Sequence, residues 1–189
     1  MRFSYLACTS SCLRQGEVIE NLPEVVPAVA LGQPLDLSGN LELRVVRHPT
    51  AIVVSQDCDL HWDYEAREDR TDDHKLLAHV LFCDLFTEER IRSAHGLDSQ
   101  LWRRVRQNQD RRYHHFEAGP VSGTPDTLTD LYADFNAVFS LPVEYCYALI
   151  SDQALVRRGY LPSPYLEDFI DRVYHYLGRV AFRDLPDGA

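Results

Sequence analysis

The stretch Thr50-Ala51-Ile52-Val53-Val54 runs straight into Ser55-Gln56-Asp57-Cys58-Asp59-Leu60. Its first half is rich in β-branched residues and shows no polar alternation. That pattern predicts a strand covered on both faces, hence a central strand of a sheet. Its second half delivers hydrophilic and reactive groups where the strand ends. Such groups cost free energy to bury unless hydrogen-bonded, so they belong at the mouth of a site or in a satisfied corner. If the chain stays extended, Ser55, Asp57 and Asp59 share one side and Gln56 and Cys58 the other. Ser55, Gln56, Asp57, Cys58 and Asp59 are therefore the candidate binding residues. Two carboxylates on one side suit a cation, an arginine partner or a split of acid and base roles. Cys58 between two acids is a poor nucleophile, because neighbouring negative charge raises a thiol pKa. An Asx turn that closes the strand is the alternative.

Upstream, residues 15–19 read as a short strand after a turn. Pro23, Pro27, Gly32, Pro34 and Gly39 predict a meandering loop over residues 22–40. Leu41, Leu43 and Val45 alternate with Glu42 and Arg44, the mark of a half-buried strand, and His48-Pro49 is expected to end it. Downstream, residues 63–73 hold six acids and two arginines, which predicts a solvated loop. Residues 76–86 form the strongest apolar run and read as another central strand. Thr87-Glu88-Glu89 starts a short helix that Gly96 ends. Asp98 or Ser99 caps a second, with Leu101, Trp102 and Val105 on one face. Residues 112–116 read as extended, 119–126 as a loop, and a strand lies within 128–141.

A C-terminal helix spans about residues 164–182, with Ser163 as cap and Pro164 at the first helical position. Leu166, Phe169, Ile170, Val173, Leu177 and Val180 form its apolar stripe. Strands and helices without regular alternation indicate an α+β fold: a small, mostly antiparallel sheet with a few helices, the last packed on the sheet. Residues 1–189 read as one domain, β-rich to residue 90, mixed from 91 to 160, then the helix.

Apolar residues make up 45% and charged residues 25% of the chain. That is the balance of a globular protein able to bury a core without disulfide or metal staples. It excludes collagen, a coiled coil and a disordered tail. The net charge of −10 repels phosphate backbones, so bulk nucleic-acid binding is disfavoured. Five irregularly spaced cysteines suit a reducing cytosol better than a disulfide framework. Leu6-Ala7-Cys8 touches a lipoprotein-signal pattern, but almost no apolar core precedes it. No run approaches the ~20 apolar residues of a membrane span. The expectation is a cytoplasmic protein with no membrane contact, cofactor or metal. Its partner would be another protein or a small ligand.

Two further clusters have chemical readings. Cys58, His61, His74, His79 and Cys83 match no zinc-module spacing. In a strand, His79 and Cys83 would stand ~13 Å apart, too far to share one ion. Arg103, Arg104, Arg106, Arg111 and Arg112 precede Tyr113-His114-His115-Phe116. Cations with aromatics suit phosphate contact and base stacking. They equally suit a wet helix face paired with the acidic 63–73 segment. His114 and His115 point to opposite faces if extended, so one at most serves a site as acid or base. A Gly-rich phosphate loop, a GxSxG elbow and an HExxH helix are absent from the sequence.

Two portions resemble known groups. Gly16-Glu17-Val18-Ile19, then a β-rich stretch ending in Ala51-Ile52-Val53-Val54-Ser55, is similar in layout to the PemK/MazF-like toxins. That resemblance implies an SH3-like β-barrel and RNA cleavage. Asp57-Cys58-Asp59 departs from that family's pattern, and no position matches its Arg/Thr pair, so no catalytic residue carries over. Separately, SQDCDL at 55–60 with LPSPYLEDFIDRVYHYLGRVAF at 161–182 is similar to a set of bacterial proteins bearing both signatures. This second resemblance implies shared boundaries from Ser55 to Phe182 and no particular activity.

Two functional classes follow. The first is a non-catalytic binding or accessory module, in which Ser55, Asp57 and Asp59 shape the strand end or bind a basic partner group. The second is a toxin-like ribonuclease or other phosphodiester hydrolase. It would set Arg111, Arg112 and His114 (or His115) opposite Asp57 and Asp59, arginine stabilising phosphate charge and histidine moving the proton. Only the second requires these residues to converge around one concavity.

Overall fold

The run around Val53 is the inner end of a long strand, β3 (Leu43–Val53). In the computed structural model, which describes residues 4–28, 42–70 and 73–179, β3 pairs antiparallel with β2 (Glu17–Pro27) and β4 (His79–Phe86). Beyond β4 lie β8 (Leu131–Pro142) and β5 (Tyr113–Phe116). Beyond β2 come β9 (Val156–Tyr160), β1 (Tyr5–Leu6), β6 (Gly119–Ser122) and β7 (Thr127–Leu128). Of these ladders only β1–β6 is parallel. The fold is α+β, with a nine-stranded, mostly antiparallel sheet in the order β5-β8-β4-β3-β2-β9-β1-β6-β7. Among the described residues no ladder joins the β5 end to the β7 end, so the sheet is open and lacks the closure of an SH3-like barrel. No helix among the described residues is long and apolar enough to cross a membrane.

The central position of β3 explains its sequence. Ile52 faces a core that includes Val18, Cys83, Phe135 and, from helix α5 (Tyr165–Leu177), Phe169 and Val173. Ala51 and Val53 face the other side. There they meet Ile19 and Phe82, Leu60 of helix α1 (Asp57–Asp69), and Val143 and Cys146 of helix α4 (Val143–Ser151). Each fully buried Val, Leu, Ile or Phe among them contributes about 1.5–3 kcal/mol. Helices α2 (Glu88–His95) and α3 (Ser99–Arg106) cover Tyr113 and Tyr132 with Ile91, Trp102 and Val105. Their caps are the expected ones. Thr87 accepts from the Arg90 amide, Gly96 closes α2 in the left-handed region, and Asp98 accepts from Gln100 and Leu101.

Several expectations need correction. His48-Pro49 does not end the strand. Pro49 falls at an interruption of the register between the Glu20–Thr50 and Leu22–His48 pairs, where a residue without an N–H is tolerated. Opposite it, Asn21 takes φ 62°. Residues 22–27 continue β2 as a ribbon with β3, although Pro23 and Pro27 suggested a loop. Leu43 and Val45 are exposed, not half-buried; among the described residues no further strand pairs with this outer ribbon. Leu41, Gly32, Pro34 and Gly39 lie outside the described residues. Residues 63–69 are the body of α1 rather than a loop. Residues 119–122 form β6 rather than a loop. Ser163 gives α5 no side-chain cap; Pro164 holds that position, Leu177 is exposed, and Val180 is outside the described residues.

Candidate functional site

At Val54 the backbone leaves the sheet. The Val54 amide donates to the Leu81 carbonyl at 2.8 Å, and Ser55 Oγ accepts from the Leu81 amide at 2.8 Å. Ser55 thus closes the strand. The next residues turn at once into α1, so the alternation expected of an extended segment does not arise. Asp57 accepts from Arg14 Nε at 2.8 and 3.1 Å and from the Gln15 amide at 3.0 Å. Gln15 Nε2 donates back to the Val54 carbonyl at 2.9 Å. Asp57 is therefore a tie between the N-terminal loop and the helix start. Gln56 and Cys58 are exposed, and Gln56 Nε2 donates to Tyr174 Oη of α5 at 3.4 Å. The Cys58 thiol lies 3.7 Å from both Gln56 Oε1 and Asp59 Oδ1. Asp57 and Asp59 both sit in the first turn of a helix whose leading amides have no side-chain cap, where negative charge is favourable.

Asp59 points the site toward an open hollow of about 530 Å³ that it lines with Trp62, His74, Lys75, Leu76 and Leu77. Asp63, one helical turn on, is fully buried and holds the far wall. It accepts from the Leu77 amide at 2.7 Å and from Arg67 Nε at 3.0 Å. Arg67 in turn donates to the Leu77 carbonyl at 3.0 Å and to Glu144 at 2.9 Å. The floor is apolar and open: Trp62 is 49% exposed and Leu76 39%. Glu65, Glu68 and Asp69 are exposed on the same helix. Trp62 escaped the sequence reading because the residues after it read as a loop, and Leu76 because it was read as the start of a central strand, whereas β4 begins only at His79. The available signal was the three-residue spacing of Leu60, Asp63 and Ala66, the positions α1 buries.

The other candidate residues lie elsewhere. Arg112 is held by Asp134 in a two-pronged ion pair of 2.7 and 2.6 Å. Arg111 is exposed. His114 is buried among Phe116 and Phe169. Burial, then Arg172 and His115, pushes its pKa down to about 3. His115 stacks on Tyr132, with its ring nitrogens toward the Arg106 carbonyl and Asp130. Among the described residues no hydrogen bond or ion pair joins Asp57 or Asp59 to Arg111, Arg112 or His114. Arg103, Arg104 and Arg106 are exposed, and no ion pair among the described residues ties them to the acidic residues of α1.

No group of three or more His, Cys, Asp or Glu among the described residues could hold a metal ion. The five cysteines are all free. Burial raises the thiol pKa of Cys8 and Cys146 to about 12 and raises that of Cys83 further.

Two polar clusters had no signature in the sequence. His48 lies between Asp84 at 2.8 Å and Glu24 at 3.2 Å, its ring flat on Phe139 at 3.7 Å. Glu17 is fully buried and bound by Arg157 of β9. Each joins residues from different strands, which local patterning does not reveal. Comparison with protein-family models and with curated proteins returned no match for the chain.

Proposed function

We propose that the chain is a non-catalytic binding module that grips a basic, partly apolar segment of another protein beside Asp59 and Trp62. One observation carries this reading: a half-exposed indole lines an open hollow at the point where the central strand hands over to α1. Tryptophan is the residue type that most often dominates interface energetics, because covering it removes a large apolar area from water. Leu76 extends that apolar floor. Asp59 on the lining, with Glu65, Glu68 and Asp69 exposed on α1, outnumbers the one lysine of the lining, Lys75, and favours a lysine or arginine on the partner. The five free cysteines support a reducing, cytoplasmic setting.

The ribonuclease alternative draws no support from this geometry. Burial lowers the pKa of the enclosed His114, Arg112 is engaged by Asp134, and the aromatic run 113–116 is buried and so offers no stacking platform beside these arginines.

The test uses hexapeptides that pair arginine or lysine with leucine or phenylalanine, and glutamate-for-arginine controls. Basic peptides should shift Trp62 emission and move the amide resonances of residues 57–66 and 74–77. Trp102 is almost fully buried, so a change in emission on binding reports the exposed indole of Trp62. Trp62→Ala and Asp59→Lys should each weaken binding about tenfold or more. Equal responses to the acidic controls, or no response to any basic peptide, would refute the reading.

A further inference from the structure

Helix α3 carries a basic face that the function proposed above does not use. Ser99, Trp102, Arg103, Arg106 and Gln107 recur at the i, i+3, i+4, i+7, i+8 spacing of one helix stripe. Together they line an open hollow of about 360 Å³. Trp102 is only 8% exposed and packs on Tyr132, with ring centroids 4.9 Å apart. The accessible groups of the hollow are therefore Ser99, Arg103, Arg106 and Gln107, all exposed.

The chemistry of that lining is one-sided. A hydroxyl, two guanidinium groups and a carboxamide all donate hydrogen bonds, and no carboxylate lines the hollow. Among the described residues neither guanidinium takes part in an ion pair or a hydrogen bond. The cause is local. On α2, Glu88 stands four residues before Arg92 and pairs with it at 3.1 Å. The corresponding positions before Arg103 and Arg106 are Ser99 and Trp102, which carry no charge. The carboxylates that flank α3 in the chain are engaged by backbone amides. Asp98 accepts from Gln100 and Leu101, and Asp110 from Arg112 and Tyr113. Acids exceed bases by ten in this chain, yet none among the described residues reaches these two arginines. Their place in the last turn complements the helix dipole, but that interaction leaves the guanidinium donors unused.

The occupant must supply acceptors and negative charge. A guanidinium fork matches a carboxylate in a two-pronged geometry. Side chains three residues apart on a helix start about 5–6 Å from each other, so the matching ligand carries two carboxylates at a similar interval. Glutamates one helical turn apart meet that requirement. A long nucleic acid fits less well, because the net charge of −10 repels its phosphates. We infer that this face of α3 docks an acidic segment of another protein, with two carboxylates a helical turn apart on Arg103 and Arg106 and with Ser99 and Gln107 donating beside them. It shares no residue with the hollow beside Asp59 and Trp62 and takes a ligand of opposite charge.

The full chain, labelled with ¹⁵N, is titrated at low ionic strength with three probes. They are an alanine-rich dodecapeptide bearing glutamate pairs four residues apart, its glutamine-for-glutamate counterpart, and a single-stranded DNA dodecamer. The acidic peptide should move the amide resonances of residues 99–107, leave those of 57–66 in place, and bind more weakly as salt rises. The glutamine peptide should move neither set. Arg103→Gln with Arg106→Gln changes only exposed side chains and should weaken binding about fivefold or more while the chain stays folded. Arg44→Gln with Arg47→Gln makes the same change in net charge on the exposed β2–β3 ribbon and should leave binding within about twofold. Unmoved 99–107 resonances with the acidic peptide at millimolar concentration overturn the inference. So does an equal response to the glutamine peptide, or an equal loss in the two double variants. Tighter binding of the DNA than of the acidic peptide overturns it too, and assigns the face to nucleic acid.

Discussion

Replacing Arg157 by methionine should unfasten the N-terminal loop from the sheet. The Glu17 side chain has no exposed area, and its carboxylate accepts from Arg157 Nε, from Arg157 Nη2 at 2.8 Å and from the Arg14 amide at 3.0 Å. The same guanidinium donates to the carbonyls of Ser10 and Cys12, the latter at 2.9 Å. One side chain therefore neutralises a buried charge and pins residues 10–12 to β9. Methionine retains the stem's packing but leaves the carboxylate uncompensated. Breaking a buried pair in this way costs about 3–5 kcal/mol. That is a large part of the ~5–15 kcal/mol that keeps a domain folded. With a urea dependence of ~2 kcal/mol per molar, the unfolding midpoint should fall by about 2 M.

Adding Glu17→Gln to Arg157→Met removes the stranded charge and should restore much of the loss. Hydrogen exchange gives a second readout. Arg14 belongs to the same loop and holds Asp57, so amides at the start of α1 should exchange faster in the single variant. A single variant within about 0.5 kcal/mol of the parent would contradict the assignment, since that is the range of an inert surface change. A double variant no more stable than the single would contradict it as well.

His48 supplies a pH signature. Burial alone would lower its pKa, but the hydrogen bond and charge of Asp84, then those of Glu24, outweigh it and leave the value raised. The protonated ring is thus favoured by the fold. Its contribution is full below the unfolded value of about 6.5 and is lost as pH rises through the folded value. The stability difference between the parent and His48→Gln, followed by urea unfolding from about pH 5 to 9, should shrink toward alkaline pH. A difference that grows in that direction contradicts the arrangement. Gly159 tests the packing of β9 against β1. At φ +153° a Cβ there would stand 2.9 Å from the Leu6 carbonyl oxygen and 3.2 Å from Val121 Cγ1. Gly159→Ala should cost about 1–3 kcal/mol or more, seen as a lower melting temperature; an unchanged melt contradicts the close approach.

Local patterning settled a definite part of this protein. Ile52 between Ala51 and Val53 announced a strand packed on both faces, and the structure places one core on each side. Thr87, Gly96 and Asp98 marked helix ends because capping is a contact between near neighbours in the chain. The apolar positions Phe169 and Val173 marked the docking face of α5 for the same reason.

Tertiary structure decided the rest. Helix α1 is too polar for its periodicity to stand out; it is held by Leu60 and Ala66 and by the buried hydrogen bonds of Asp63 to Leu77 and Arg67. Once α1 forms, Ser55 and Asp57 are consumed in structural bonds, and the open surface shifts to Asp59 and Trp62. The ion pair between Glu17 and Arg157, the His48 cluster and the unpaired Nδ1 of His114 depend on residues far apart in the chain. Periodicity and capping report what a residue does with its neighbours. Which distant polar group it meets is set only when the sheet brings the strands together.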